Sequence, residues 1–142
     1  MEPIRFKKLH PEGQLPARGS SEAAGLDLYT IEDISLKPLQ IAKLNTGIAV
    51  ELPVGTCGII TGRSGRTAAG LLTLQGLIDA DFRGQLKVMV HNISRTDLSV
   101  PKGARVAQLL VLPSPQYSPV LVEHFSVEHT TRATNSFGST GN

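Results

Sequence analysis

Apolar and polar residues alternate over short stretches of this chain, and no stretch sustains the 3.6-residue spacing of an amphipathic helix. Leu86-Lys87-Val88-Met89-Val90 sets residues 86, 88 and 90 against 87 and 89, and Arg105-Val106-Ala107-Gln108-Leu109-Leu110-Val111-Leu112 is more continuously apolar. Both read as half-buried or buried strands. Leu39-Gln40-Ile41-Ala42-Lys43-Leu44 alternates imperfectly, with Leu39, Ile41 and Lys43 on one side. Gly47-Ile48-Ala49-Val50-Glu51-Leu52 runs into Pro53-Val54-Gly55, the pattern of a strand entering a turn. Short strands separated by Gly and Pro at about ten-residue intervals predict an all-β sandwich, barrel or jelly roll. One short helix is expected at Ser64-Gly65-Arg66-Thr67-Ala68-Ala69, with Ser64 as its cap and Gly70 as its stop.

The 142 residues fit a single domain, and 14 Gly with 9 Pro suit a turn-rich β fold. A β domain is expected over 1–128 and a polar arm over 129–142, since residues 130–142 hold one large apolar side chain, Phe137. No run reaches the roughly 20 apolar residues of a membrane span, and Met1–Lys8 lacks the apolar core of a secretory signal. A single cysteine, Cys57, forms no internal disulfide framework, so an intracellular compartment is the expectation. Lys and Arg total 14 against 12 Asp and Glu, and aromatics make up 4%. That balance disfavours a nucleic-acid partner held by field or stacking; an anion would be met at a local site. His10, His91, His124 and His129 have no zinc-type spacing.

Four clusters carry candidate chemistry. Asp27, in Ala24-Gly25-Leu26-Asp27-Leu28, reads either as a strand-end carboxylate satisfied by backbone N–H groups or as an oxygen ligand near Mg²⁺. Gly62-Arg63-Ser64-Gly65-Arg66 offers free N–H groups, a hydroxyl and two guanidinium groups, which suit phosphate, or else is an ordinary helix start with solvated arginines. In Gly76-Leu77-Ile78-Asp79-Ala80-Asp81-Phe82-Arg83-Gly84, paired aspartates are usual turn chemistry. Asp79, following an apolar run, would be partly buried beside a water and suited to act as general base. The fourth cluster, Arg132 with Phe137-Gly138-Ser139-Thr140-Gly141, reads as a frayed terminus or as a ring for a base with donors for phosphate.

Together with Gly103-Ala104-Arg105-Val106-Ala107-Gln108-Leu109, these clusters stand in the order and spacing of the trimeric dUTPase family, which the chain resembles from Ile4 through Gly141. The Gly62-Arg63-Ser64 form and the run Gln108–Pro113 are similar to its retroviral and related viral branch. The resemblance implies a jelly-roll-like (β-clip) subunit in a homotrimer with active sites between subunits. It implies hydrolysis of dUTP to dUMP and pyrophosphate with Mg²⁺, by water attack at the α-phosphorus. Asp79 would hold and deprotonate the water, and Arg63, Ser64 and the Gly65 N–H would bind phosphates. Gln108 would hold a phosphate oxygen, and Asp27 would support Mg²⁺ through water. A hairpin from Thr73 to Ile78, including Gly76 and Leu77, would pair with uracil through its main chain, and Phe82 would pack under the deoxyribose. Arg132, Ser139 and Thr140 would reach the γ-phosphate and Phe137 would stack on uracil, while Lys87 and Gly138 complete the implied substrate-binding set. Arg63, Arg66 and Arg132 would concentrate positive charge on the triphosphate.

The chain departs from the family where Arg66 replaces a common hydrophobic residue, Thr67 is also unusual, and Phe82 replaces Tyr. The stretch from Ser64 to Asp79 is a residue short, and the Asn that many members place near Thr73 is missing. Ala133, Asn135 and Ser136 stand for glycines in the tail, where side chains restrict positive φ. Two other readings remain: a non-catalytic trimeric binding module with this fold, and a dCTP deaminase. The deaminase needs a Glu where Met89 stands, and a thioether cannot shuttle protons.

Overall fold

The computed structural model describes residues 3–135. It contains β1 (Arg5–Lys8), β2 (Leu26–Tyr29), β3 (Ile34–Leu36), β4 (Ile41–Asn45), β5 (Ile48–Glu51) and β6 (Thr56–Thr61). Then come α1 (Ser64–Ala68), β7 (Leu71–Thr73), β8 (Gly76–Ile78), β9 (Lys87–Asn92), β10 (Leu98–Val100) and β11 (Arg105–Pro113). All pairings are antiparallel: a four-stranded sheet β2-β11-β6-β8, a three-stranded sheet β4-β9-β7, and the pairs β1-β5 and β10-β3. The all-β, jelly-roll expectation holds.

Both larger sheets contribute to one core. Leu28, Ile60, Val106 and Leu109 come from the first, and Leu44, Leu71, Val88 and Val90 from the second. Period-2 geometry explains the match in β9, where Val88 and Val90 are fully buried and Lys87 is exposed. Leu39 departs from expectation. It stands outside β4 at φ +67° and is 74% exposed. A turn has displaced the strand start, because Gln40 N donates to Lys37 O at 3.0 Å and Lys37 N donates to Gln40 Oε1 at 2.9 Å.

A second departure concerns Thr73–Ile78, which is not a hairpin. β7 pairs with β9 and β8 with β6, so Leu74 and Gln75 carry the chain from one sheet to the other. Leu74 N still donates to Met89 O at 2.9 Å, extending the β7-β9 pairing past the strand end and leaving no residues free for a tight turn.

Asn92 is the polar hub of the core and is fully buried. Its Nδ2 donates to Leu36 O at 3.0 Å and Thr96 O at 2.9 Å, while its Oδ1 accepts from Ser94 N at 2.9 Å and Ser94 Oγ at 2.7 Å. Asn92→Ala would remove all four bonds and take the side-chain donor from the carbonyl of fully buried Leu36. It is expected to cost about 3 kcal/mol, read as a lowered urea midpoint; an unchanged midpoint contradicts this role.

Candidate active site

Sheet register brings one set of the expected residues together. Gln108 on β11 faces Asp27 on β2 and Thr61 on β6, so a polar row crosses three strands and ends beside the Gly62-Arg63 turn. The β2-β11 register shifts between Arg105 and Ala107, and Val106 and Ala107 are both buried in consequence. That bulge matters because Arg105 and Gln108, three positions apart, would otherwise point to opposite faces. With it, Arg105 reaches Asp27.

Asp27 is satisfied by guanidinium groups, not by the backbone N–H groups one reading anticipated. Its Oδ1 lies 3.1 Å from Arg63 Nε and its Oδ2 lies 3.5 Å from Arg105 Nη1. The carboxylate side chain is only 10% exposed, against 33% for Arg63 and 50% for Arg105. Arg18 Nη1 steadies the approach to β2 by donating to the carbonyls of Ala23 and Ala24. Gln108 Nε2 donates to Gly62 O at 2.8 Å, and a side chain at Gly25 would collide with Gln108 Oε1, so only glycine admits the amide there.

The helix lacks its expected cap. Arg63, with extended φ −102° and ψ 135°, occupies the N-cap position without a side-chain hydrogen bond, and Ser64 is the first helical residue. Ser64 does not cap because its hydroxyl has moved one position past the place from which it reaches the N–H groups of the first turn. Its hydroxyl and the first-turn N–H groups therefore face solvent, and space around Gly65 is open. Gly70 ends the helix as expected, at φ +94°, with its N–H on Thr67 O at 3.0 Å. Thr73 is buried close to Gly62, and its Oγ1 has no hydrogen-bond partner.

The rest lies elsewhere. β8 pairs Gly58 with Ile78, whereas Gln108 pairs with Thr61, so three strand positions, about 10 Å, separate the two contacts along β6. Asp79 lies beyond one end of that span and Arg63 beyond the other. Asp79 is also exposed, because the turn after β8 carries it off the sheet: Phe82 N donates to Asp79 O at 3.1 Å, and Arg83 Nη1 donates to Ala80 O at 2.7 Å. It lines a cleft of about 740 Å³ with Arg5, Asp81, Arg83 and the turn before β6. Phe82, 42% exposed, lays its ring over Gly84. Lys87 is exposed at the start of β9, opposite Asn45.

Past β11 the chain leaves the body. Ser114 N still donates to Gly55 O at 2.8 Å, but Tyr117, Val120, Leu121, Phe125 and Val127 are each at least 68% exposed. Arg132 is exposed, with Nε on Asn135 O at 3.4 Å. Phe137, Gly138, Ser139 and Thr140 lie outside the described residues. Among the described residues, no three His, Cys, Asp and Glu side chains converge as a metal would require. Arg105 is the site residue that sequence reasoning passed over. Its signal was a cation opening a strand opposite the one that carries Asp27.

Fold and site together define a jelly-roll protein that presents a cation-flanked turn at one sheet end and a carboxylate at the other. The family model described as dUTPase matches residues 11–141. The deoxyuridine 5'-triphosphate nucleotidohydrolase of Paramecium bursaria Chlorella virus 1 is 38% identical over 144 residues, covering 99% of each chain. That of Corynebacterium diphtheriae is 38% identical over 145 residues, covering 97% of this chain and 92% of its own. The solved dUTPase of Staphylococcus bacteriophage 80alpha with dUpNHpp overlays 100% of both chains at a TM-score of 0.94 and 26% identity. The chain belongs to the dUTPase family. A dUTPase mutant from phage phi11 of S. aureus, described as showing the coordination of a structural Mg(II) ion, shares the fold at a TM-score of 0.85 and 24% identity over 89% of this chain.

Proposed function

We propose that this chain hydrolyses dUTP to dUMP and pyrophosphate as a homotrimer whose active sites are each built from more than one copy. The family match over residues 11–141, with Arg63, Ser64, Gly65, Asp79 and Gln108 all in place, carries this reading. Geometry supports the shared site. Asp79 and Arg63 lie beyond opposite ends of a span of about 10 Å along β6, so the carboxylate of one copy meets the phosphate turn of another.

The attacking water gives its proton to the Asp79 carboxylate as its oxygen bonds to the α-phosphorus. The bond from that phosphorus to the bridging oxygen breaks, and pyrophosphate leaves. dUTP carries about four negative charges, and Arg63 with the N–H groups of Ser64 and Gly65 stabilises the charge that develops on the leaving group. Arg63 comes to this task already aimed, since Asp27 holds its Nε side. Gln108, fixed on Gly62 O, keeps the turn in register and offers its remaining N–H to phosphate.

The uracil lies along the open edge of β8, Gly76-Leu77-Ile78, whose outward-facing main-chain groups are not paired to β6. Phe82 walls the sugar, leaving no room for a 2′-hydroxyl. Arg132, Phe137, Gly138, Ser139 and Thr140 of a neighbouring copy close over the nucleotide.

No all-protein cage for Mg²⁺ exists among the described residues, and both Asp27 oxygens face guanidinium groups. Asp27 would hold a hydrated Mg²⁺ through water, the oxygen chemistry that this ion prefers. When bound, Mg²⁺ supplies charge neutralisation on the phosphates.

Offering dUTP, dCTP, dTTP and UTP with Mg²⁺ while following both pyrophosphate and ammonia tests the reading. Pyrophosphate from dUTP alone is expected. Ammonia from dCTP indicates a deaminase, and silence with all four indicates a binding module.

A further inference from the structure

Arg66 is the cation that the mechanism above leaves unused. Its Nε donates to the backbone carbonyl of Arg105 at 3.2 Å, which pins the side chain across the gap between α1 and β11. Among the described residues, no carboxylate lies within ion-pair distance of Arg66, whereas Arg63 and Arg105 both lie on Asp27. Arg63 and Arg105 thus share the single carboxylate of Asp27, and the Arg66 guanidinium, tied to β11 by a backbone carbonyl, adds a charge that no carboxylate offsets. An excess of positive charge on one part of the surface draws an anion to it. Arg66 also stands in the first turn of α1, next to the open N–H groups of Ser64 and Gly65. With Nε anchored and Nη1 and Nη2 free, its planar fork is pre-organised for a bidentate phosphate.

We propose that Arg66 is a further phosphate-binding residue, which grips the part of the triphosphate that leaves as pyrophosphate and not the α-phosphate kept by dUMP. The proposal rests on the hydrolase reading above and deepens it. It predicts a chain that holds pyrophosphate more firmly than Arg63 and the Ser64 turn alone would hold it.

Inhibition by the two products separates this role from a structural one. Full-length Arg66→Leu is expected to raise both the KM for dUTP and the inhibition constant of pyrophosphate about tenfold, the worth of one charge-assisted hydrogen bond. Inhibition by dUMP stays at its original value. Arg66→Lys keeps a charge at the position but neither the Nε anchor nor the planar fork, and regains only part of the pyrophosphate inhibition. The ratio between wild type and the Leu variant shrinks as salt rises, since screening weakens this contact. Unchanged pyrophosphate inhibition in Arg66→Leu overturns the proposal, as does an equal weakening towards dUMP, which marks a general loosening of β11. A wild-type chain that releases no pyrophosphate from dUTP defeats the hydrolase reading itself. Normal wild-type turnover with an unaffected Leu variant defeats only the role of Arg66.

Discussion

Asp79→Asn is expected to bind dUTP as the wild type does and to hydrolyse it about a thousandfold more slowly, within the range that a general base contributes. The amide keeps the size and shape of the carboxylate but cannot take the proton of the attacking water. Asp79 stands on an exposed turn and contributes nothing to the core, so the exchange leaves the fold intact. Pyrophosphate release measures the first quantity, and calorimetry with a non-hydrolysable dUTP analogue the second. Turnover within tenfold of wild type removes Asp79 from the chemistry. Loss of binding along with turnover would instead place it among the groups that hold the phosphates.

Truncation after Glu128 is expected to leave assembly unchanged and to raise the KM for dUTP about a hundredfold. The deleted residues include Arg132 and Phe137, whose loss removes one phosphate contact and one stacked ring, each worth roughly 1–3 kcal/mol. Exposed Tyr117, Val120, Leu121, Phe125 and Val127 all remain, and they are the apolar part of the segment after β11 available to a second copy. Light scattering checks the mass and steady-state kinetics the affinity. A truncated chain with wild-type KM makes the arm dispensable. Ala133 adds a detail here: it adopts φ +48°, a left-handed conformation that costs a side-chain-bearing residue about 1–2 kcal/mol. The family's glycine at that place carries no such cost.

Much of the fold was legible because strands announce themselves by period. The alternation around Val88 and Val90 and the apolar run after Arg105 became β9 and β11, and Gly70 ended α1 as its lack of a Cβ permits. Leu39 was misplaced because its apolar character fits an alternation that a turn, closed by Gln40, overrides. The supposed hairpin failed for a related reason: two short strands two residues apart look paired in sequence, but β9 and β6 are stronger partners for them than they are for each other. Pairing is decided across the sheet, and neighbours along the chain do not encode it.

The site divides in the same way. Residue types marked Arg63, Ser64 and Asp79 as chemistry, since each suits phosphate or proton transfer. The ion pairs that aim Arg63 depend on Arg105, and Arg105 reaches Asp27 only through a bulge that no local pattern marks. Asp79 was expected to be partly buried from the apolar run before it. Its exposure in one chain follows from the turn that projects it, and in the proposed assembly a second copy covers it.

Mixing two inactive chains tests most directly whether the Asp79 of one copy serves the phosphate turn of another. Asp79→Asn and Ser64→Ala combined with Arg63→Ala would be unfolded together, refolded at equal concentration and assayed for dUTP hydrolysis. If each site draws these residues from different copies of a ring, about a quarter of the wild-type activity returns, since half the copies are intact on each side. No recovered activity, with mixed assemblies confirmed by mass, would place both groups in a single subunit and contradict the shared site.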